Sequence, residues 1–222
     1  MKKYFSLVIL CFPWFVRKWL YEVIFNYEID DNAYIGFSWI YPEKLYMERG
    51  ARIGHLTICK SIEKLEMGSK STIGALNWIT GFPRGIKSKH FDSELNRSPA
   101  LIIKCHSAIT GRHLIDCTNT ITIGKFTTIA GIRSQLLTHS INLMESKQES
   151  SPINIGDYCF VGTNTVVLKG SALPDYSVFG AMSLINKEYK NSYCLYGGVP
   201  AVEIKSLPKN YKYFIRKKGF IH

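Results

Sequence analysis

Hydrophobic residues recur every six positions along the C-terminal part of the chain: Ile155, Val161, Val167, Leu173, Phe179 and Ile185. A second series, four positions further on, holds only small residues: Cys159, Thr165, Ser171, Ser177 and Ser183. An α-helix turns every 3.6 residues and cannot keep a strict period of six on one face. A lone strand alternates with a period of two and has no use for it. Three short strands per turn, joined by tight corners, do hold that period. The pattern therefore predicts an all-β solenoid of parallel coils, with aliphatics forming a continuous interior and small residues at crowded inward positions near corners.

Fragments of the same period show at Ile53-Gly54, Cys59, Leu65, Ile73-Gly74 and Ile79, so the solenoid is expected to begin near Ile35-Gly36. The series resumes at Ile103, Ile109 and Ile115, slips by two, and continues as Ile123, Ile129 and Gln135. Two segments lack the period: 80–100, rich in Pro, Gly and charge, and 140–154. Both read as loops inserted into the solenoid, and long loops in compact domains tend to carry function. About six coils are expected. Glycines following the aliphatic (Gly124, Gly156, Gly162, Gly180) are expected where the backbone takes unusual angles.

The ends follow other rules. An apolar run at 4–12 is about half a bilayer span. It lacks a convincing small-x-small cleavage site, so it does not read as a signal peptide. From Trp14 to Tyr27 the spacing turns helical, with Val16, Trp19, Leu20, Val23, Ile24 and Tyr27 on one face and Lys18 paired with Glu22 on the other. This arm either caps the open end of the solenoid or lies on a membrane surface with Arg17 and Lys18 near lipid phosphate. The organisation expected is an amphipathic helical arm (1–30), the solenoid (31–190), and a terminal segment with a short basic helical tail (191–222).

The 222 residues carry a net charge of +11, and 46% of them are hydrophobic. That is ample for a core and argues against disorder. Ten of the bases lie near the termini: Lys2, Lys3, Arg17, Lys18, Lys205, Lys209, Lys212, Arg216, Lys217 and Lys218. A basic surface suits nucleic acid, anionic membrane or a phosphate-bearing ligand, but no nucleic-acid recognition motif is present. The alternative is a solvated, solubilising tail. The six cysteines show no C-x-x-C pairing and read as reduced structural thiols of a cytosolic protein.

His139 is the candidate for chemistry. It stands at the last corner before the second excursion. Counted along the ruler, Asn119, His139 and Ser171 fall at equivalent corners, and Asp116 lies one coil below His139. An imidazole with a polar or carboxylate neighbour accepts a proton near neutral pH. His106 and His113 are seven apart, and His55, His90 and His222 are scattered. None of these makes the five-residue pair that a solenoid zinc site needs, so no metal is expected.

Three segments carry a family resemblance. They are Thr138-His139; the stretch from Ile155-Gly156-Asp157 to Phe160-Val161-Gly162; and Gly180-Ala181-Met182-Ser183 followed by Asn186-Lys187 and Gly197-Gly198-Val199-Pro200-Ala201. In this order they resemble the hexapeptide-repeat acyltransferases of the left-handed parallel β-helix superfamily, and within it the sugar O-acetyltransferases of surface polysaccharides. The resemblance is strong over about 101–205 and weaker over 35–79. It implies a left-handed coil, acetyl-CoA as co-substrate and a homotrimer with each coenzyme A cleft between neighbouring subunits.

By the same resemblance, His139 is the general base, and Asn119 or Asp116 orients the acceptor or the imidazole. Phe160 stands where the family has tryptophan, beside the acceptor or thioester. Backbone amides at Gly162-Thr163 and Ala181, on the Gly180 corner, hold the thioester and pantetheine. Asn186 and Lys187 meet the nucleotide, Pro200-Ala201 flank adenine, and Lys205 meets the 3′-phosphate. The chain departs from the pattern at Phe160, at Met182 (a common glycine) and at Val202 (often basic).

The expected reaction is acetyl transfer to a sugar hydroxyl of a surface glycan or its precursor. The alternatives are a sugar N-acyltransferase and a non-catalytic solenoid scaffold at a membrane surface. The expected location is the cytoplasm, with the arm as a contact to the inner face of the membrane. Arg84, Lys87 and Lys89 suggest an anionic acceptor, against the alternative of solvated charge.

Overall fold

A computed structural model describes residues 2–86, 88–94, 96–219 and 221. Lys87 and His222 lie outside the described residues, as do the side chains of Lys2 and Lys3. The chain winds into a three-faced solenoid. Its faces are sheets of seven, nine and seven strands. A typical coil runs through Ile121–Ile123 on the first face, Thr128–Ile129 on the second and Gln135–Leu137 on the third. Successive coils pair parallel and in register, as in Ile123↔Ile155, Ile129↔Val161 and Leu136↔Val167. The fold is a left-handed parallel β-helix.

The six-residue series is the interior. Ile155, Val161, Val167, Leu173, Phe179 and Ile185 are all buried. So are Cys159, Thr165, Ser171, Ser177 and Ser183. Their small polar atoms have a task. Thr165 Oγ1 donates to Gly162 O at 2.9 Å, Ser177 Oγ to Pro174 O at 2.6 Å, and Ser183 Oγ to Gly180 O at 2.7 Å. At the same level one coil earlier, Thr127 Oγ1 donates to Gly156 O at 2.6 Å. A corner turns carbonyls away from the ladder, and a short hydroxyl returns a donor to them without filling the interior.

Four details differ from the sequence expectation. The coils begin earlier, because Glu28–Ile29 already pairs with Tyr46 and Met47. With seven strands on the first face there are seven coils rather than six. The second face also continues past residue 190 through Cys194–Gly197, which is closed by an antiparallel partner, Val202–Ser206. Gln135 is exposed and Leu136 takes the inward place, since the preceding corner holds one residue more than its neighbours and turns through Gly131 at φ 72°.

The fourth concerns glycine. Gly124, Gly156, Gly162 and Gly180 do not have positive φ. The first three are required by proximity: a Cβ on Gly124 would lie 2.4 Å from the Gly156 carbonyl carbon, one on Gly156 2.6 Å from Asp175 N, and one on Gly162 2.6 Å from Ala181 N. The left-handed residues instead follow the glycines by two, and most are not glycine. His106, Phe126, Tyr158, Tyr176 and Tyr193 all have φ between 54° and 60°. Their rings stack in one column at 4.7–5.1 Å. That spacing matches the distance between hydrogen-bonded coils, so the column repays strain that each residue would otherwise bear alone.

The C-terminal tail covers this column. Its helix α3 (Lys212–Ile215) sets Phe214 edge-on to Tyr176 and Tyr193. The Arg216 guanidinium lies 3.8 Å from the Tyr213 ring and near Phe126 and Tyr158. Arg216 is therefore packed, not a free surface charge.

The N-terminal arm consists of α1 (Lys2–Val8), a short 3-10 turn and α2 (Trp14–Phe25). It covers the first coil. Ile9 and Tyr21 are fully buried against the core. Arg17 is buried too, and donates to Gly36 O at 2.8 Å and Ile35 O at 3.0 Å. Those carbonyls belong to the first coil, which has no coil beneath it. Arg17 is thus the donor that the missing coil would have supplied, and it is not available to lipid phosphate.

Lys18 forms the expected pair with Glu22 at 3.3 Å and a shorter one with Asp31 at 2.5 Å. The expected buried stripe is wrong in part, because Trp19 and Val23 face outward. Helix α2 is apolar on nearly every side, so spacing does not select a face; the docking of Arg17 and Tyr21 does. No helix among the described residues is long and apolar enough to cross a membrane.

The glycine argument has a direct test. Gly124→Ala forces a methyl against backbone of the next coil and is expected to destabilise by about 1–3 kcal/mol, the usual cost of overpacking. Gly180→Ala meets nothing closer than 3.5 Å and should be near neutral. Thermal or urea unfolding of both variants checks the contrast.

Candidate active site

The two-residue slip in the repeat is where the site begins. It lengthens the corner between the third and first faces, and Asp116 opens that corner at the end of Leu114–Asp116. Asp116 pairs with Leu137 of the next coil. Two residues on from each, Thr118 and His139 share one level, with Gly170 above, since Leu137 pairs with Leu168. The ruler had placed Asn119, His139 and Ser171 there; the pairing shifts both neighbours by one.

Asp116 is 6% exposed, and its carboxylate is filled on every side. Oδ1 accepts from Thr118 Oγ1 at 2.7 Å and Thr118 N at 3.2 Å. Oδ2 accepts from Thr138 N at 3.1 Å and lies 2.6 Å from His139 Nδ1. Burial alone would raise the Asp116 pKa, but the bonds from His139, Thr118 and Thr138 outweigh it and hold the carboxyl below its ordinary value. An ionised carboxylate only accepts, so Nδ1 carries hydrogen and Nε2 keeps its lone pair. The same bond raises the His139 pKa above its ordinary value, against the opposing effect of burial. The imidazole is half-exposed, so the lone pair is reachable.

Asn119 does not touch the imidazole. Its Nδ2 donates to Ser150 Oγ at 3.0 Å, and its amide donates to Thr138 Oγ1 at 2.9 Å. Ser150 closes a hairpin, His139–Asn142 with Lys147–Ser150, in which His139 pairs directly with Ser150. The second excursion is therefore an ordered hairpin springing from the histidine itself.

The first excursion meets it. Glu94 accepts from Ser150 N at 2.6 Å and binds the Ser150 hydroxyl as well. Phe91 sets its ring edge-on to His139 at 5.9 Å. The buried Arg97 guanidinium lies 4.7 Å from the Phe91 ring and donates to Thr118 O at 3.1 Å. Beside these residues opens a cleft of about 860 Å³ lined in part by Phe82, His90, Phe91, Asp92 and Glu94. Glu94, Ser150, Phe91 and Arg97 were invisible to periodicity, because they sit in the aperiodic segments and gain meaning only when two excursions converge.

Of the three bases that suggested an anionic acceptor, Lys89 is exposed and Lys87 lies outside the described residues. Arg84 is taken by Glu63 through bonds of 2.7–3.1 Å. The cleft sets Glu43, Glu63, Asp92 and Glu94 against Lys44, Lys64, Arg84 and Arg97.

The remaining expected residues lie elsewhere. Gly162, Thr163, Gly180 and Ala181 occupy the corner between the second and third faces, not the His139 corner. The Gly162 amide is already bound to Phe179 O at 2.8 Å, so it cannot hold a thioester. The amides of Thr163 and Ala181 have no partner among the described residues.

Phe160 is on the second face under the edge of Tyr213. Asn186 and Lys187 are exposed at the His139 corner, higher along the axis. Ala201 is fully buried, its carbonyl accepting from Tyr189 OH, so only Pro200 of that pair can flank a ring. Lys205 is exposed on the last strand. His113 is buried, with Nδ1 accepting from Ser134 N and Nε2 on Thr110, which makes it structural. No group of three metal-binding side chains occurs among the described residues.

No protein-family model matches the chain, and no curated protein matches it in sequence. Solved structures do. A hexapeptide-repeat acetyltransferase from Vibrio cholerae is 29% identical, covering 49% of this chain and 63% of that one, at a TM-score of 0.46. The match thus spans under two thirds of that protein. The polysialic acid O-acetyltransferase OatWY is 16% identical over 81% of this chain and 84% of its own, at a TM-score of 0.60. A variant of AntD, an N-acyltransferase from Bacillus cereus solved with dTDP-4-amino-4,6-dideoxyglucose and coenzyme A, is 16% identical over 86% and 89%, at 0.50. The last two establish the shared left-handed β-helix fold.

Glu94→Ala removes the acceptor that ties Ser150 to the first excursion. The Ser150 amide and its hairpin neighbours should then exchange with solvent about tenfold faster or more, in line with the ~1.5–3 kcal/mol of a charge-assisted bond. Hydrogen exchange measured by NMR reads this directly, with the solenoid core amides as internal reference.

Proposed function

We propose that this chain is an acetyltransferase that moves an acetyl group from acetyl-CoA to a hydroxyl of a sugar in a surface glycan or its precursor. The observation that carries the reading is the Asp116–His139 pair, with Nε2 free at the meeting point of two ordered excursions. A fully satisfied corner histidine, such as His113, has both ring nitrogens occupied; His139 does not. Two fold relatives act as acyltransferases, one on polysialic acid and one solved with an amino sugar nucleotide.

The step is direct. The acceptor O–H gives its proton to His139 Nε2 as the oxygen attacks the thioester carbonyl carbon. The tetrahedral intermediate collapses with cleavage of the C–S bond, and the coenzyme A sulfur leaves with the proton held by the imidazolium. Asp116 fixes the tautomer and stabilises the cation. Free amides at Thr163 and Ala181 suit the developing oxyanion.

These amides sit on another corner of the chain, so one copy does not complete the site. A homotrimer, with His139 of one subunit facing the Thr163–Ala181 corner of the next, resolves this. Lys187 and Lys205 are available for the coenzyme phosphates. The cleft beside the two excursions offers aromatic walls and charges of both signs that suit a sugar. A reaction that draws on acetyl-CoA suits the cytoplasm.

His139→Ala should lower turnover by roughly 10²–10⁴-fold, the typical share of general-base catalysis, while coenzyme A binding and the melting temperature persist. Near-normal turnover would remove the assignment. A panel of hydroxyl and amino sugars with acetyl-CoA separates O- from N-transfer.

The base works only when neutral, so the raised His139 pKa should move the acid limb of the rate profile to higher pH than an unpaired histidine would give. In Asp116→Asn that limb should move to lower pH, along with a lower maximal rate. A mixture of His139→Ala and Ala181→Trp subunits, refolded together, should regain activity that neither has alone; an inactive mixture argues against the shared site.

A further inference from the structure

The arm that caps the solenoid turns a second face outward. Tyr4, Val8, Phe12, Phe15, Trp19 and Val23 are 73, 54, 44, 73, 58 and 58% exposed. They lie on α1, the turn and α2, and Phe15, Trp19 and Val23 recur every four residues along one side of α2. Between Tyr4 and Phe25 no exposed residue is charged. Arg17 is buried under the cap, while Lys18 and Glu22 are half-buried and paired. Soluble surfaces rarely leave so many large apolar groups together unless something covers them.

We propose that this face docks the protein onto an anionic lipid bilayer, lying in the interface without crossing it. The chemistry of the face selects this occupant. Exposed Trp and Tyr beside Phe and Val suit the boundary between headgroup and acyl chain, where an amphipathic ring has both surroundings it needs. The chain carries +11, which draws it to an anionic surface. No helix among the described residues is long enough to span, so the contact is peripheral.

The geometry also sets a distance. Coils stack about 4.8 Å apart, and His139 lies four coils above the first, so the imidazole stands about 20 Å along the solenoid axis from the capped end. A bound enzyme would hold its site above the membrane, within reach of a glycan built on a lipid carrier. The docking itself is independent of the acetyl-transfer reading.

Vesicle flotation tests it. The full-length protein should float with phosphatidylcholine vesicles containing about 30% phosphatidylglycerol at low salt, and more weakly with phosphatidylcholine alone. Tryptophan emission should shift to the blue on binding, and Trp19→Phe should remove most of that shift. Replacing Phe15, Trp19 and Val23 together by serine should weaken binding at least about tenfold with the melting temperature unchanged.

Failure of the natural chain to float would overturn the proposal, and so would undiminished binding by the serine variant. A change in oligomeric state by sedimentation, with lipid binding intact, would assign the face to a subunit contact instead. None of these readouts uses acetyl transfer, so they fail or succeed apart from it.

Discussion

Coils that share hydrogen bonds must lie about 4.8 Å apart, and almost every local choice in this chain answers that spacing. It leaves no room for a Cβ at Gly124 or Gly156, each of which faces backbone of the next coil. It favours small residues at most inward corner positions, and the hydroxyls of Ser and Thr there serve the corner carbonyls. It stacks equivalent aromatic rings at contact distance, which makes left-handed backbone at Phe126, Tyr158 and Tyr176 tolerable. The interior is then filled with aliphatics, and a close-packed interior leaves no place for a reactive group. Chemistry is confined to corners and to what is inserted at them.

At one corner the repeat yields. Asp116 opens the corner between the third and first faces and turns its carboxylate toward the following coil rather than the core. The carboxylate is nearly buried, and a buried charge is costly unless its lone pairs are filled. Thr118, Thr138 and His139 fill them. The imidazole is thus one of the partners that keep Asp116 ionised, which fixes its orientation from below. From the other side the hairpin that His139 begins is held by Glu94 through Ser150. Three separate stretches of chain therefore determine one ring position.

What the sequence showed follows from which forces are periodic. Stacking repeats every coil, so Ile155 to Ile185 read out the interior, and the slip after Ile115 marked the Asp116 corner before any coordinates. His139 and Asp116 could be paired because counting along the ruler locates neighbours one coil apart. Counting failed where a corner gained a residue, so Gln135 was taken for Leu136, and Asn119 and Ser171 for Thr118 and Gly170. It gave no purchase on Glu94, Phe91 or Arg97, which meet the site through contacts of one excursion with another. The arm caps the solenoid as one reading expected, but Trp19 and Val23 face outward for a related reason. A helix whose apolar residues cover most sides carries little periodic signal for its buried side, which the docking of Arg17 and Tyr21 sets.

The two ends of the solenoid show the same constraint met in opposite ways. A parallel stack ends in unpaired backbone, and bare ends invite further coils from another chain. At the upper end the last strand folds back as an antiparallel partner, so Val202–Ser206 supplies donors and acceptors from within the sheet. At the lower end Arg17 supplies donors from a helix. A strand closes an edge with its backbone and leaves its side chains to water, whereas a helix that caps with one buried face must leave its other face uncovered. The outward aromatic surface of the arm is the consequence of using a helix for that closure. The capped end therefore carries an uncovered aromatic face, while the corners above it keep the polar site.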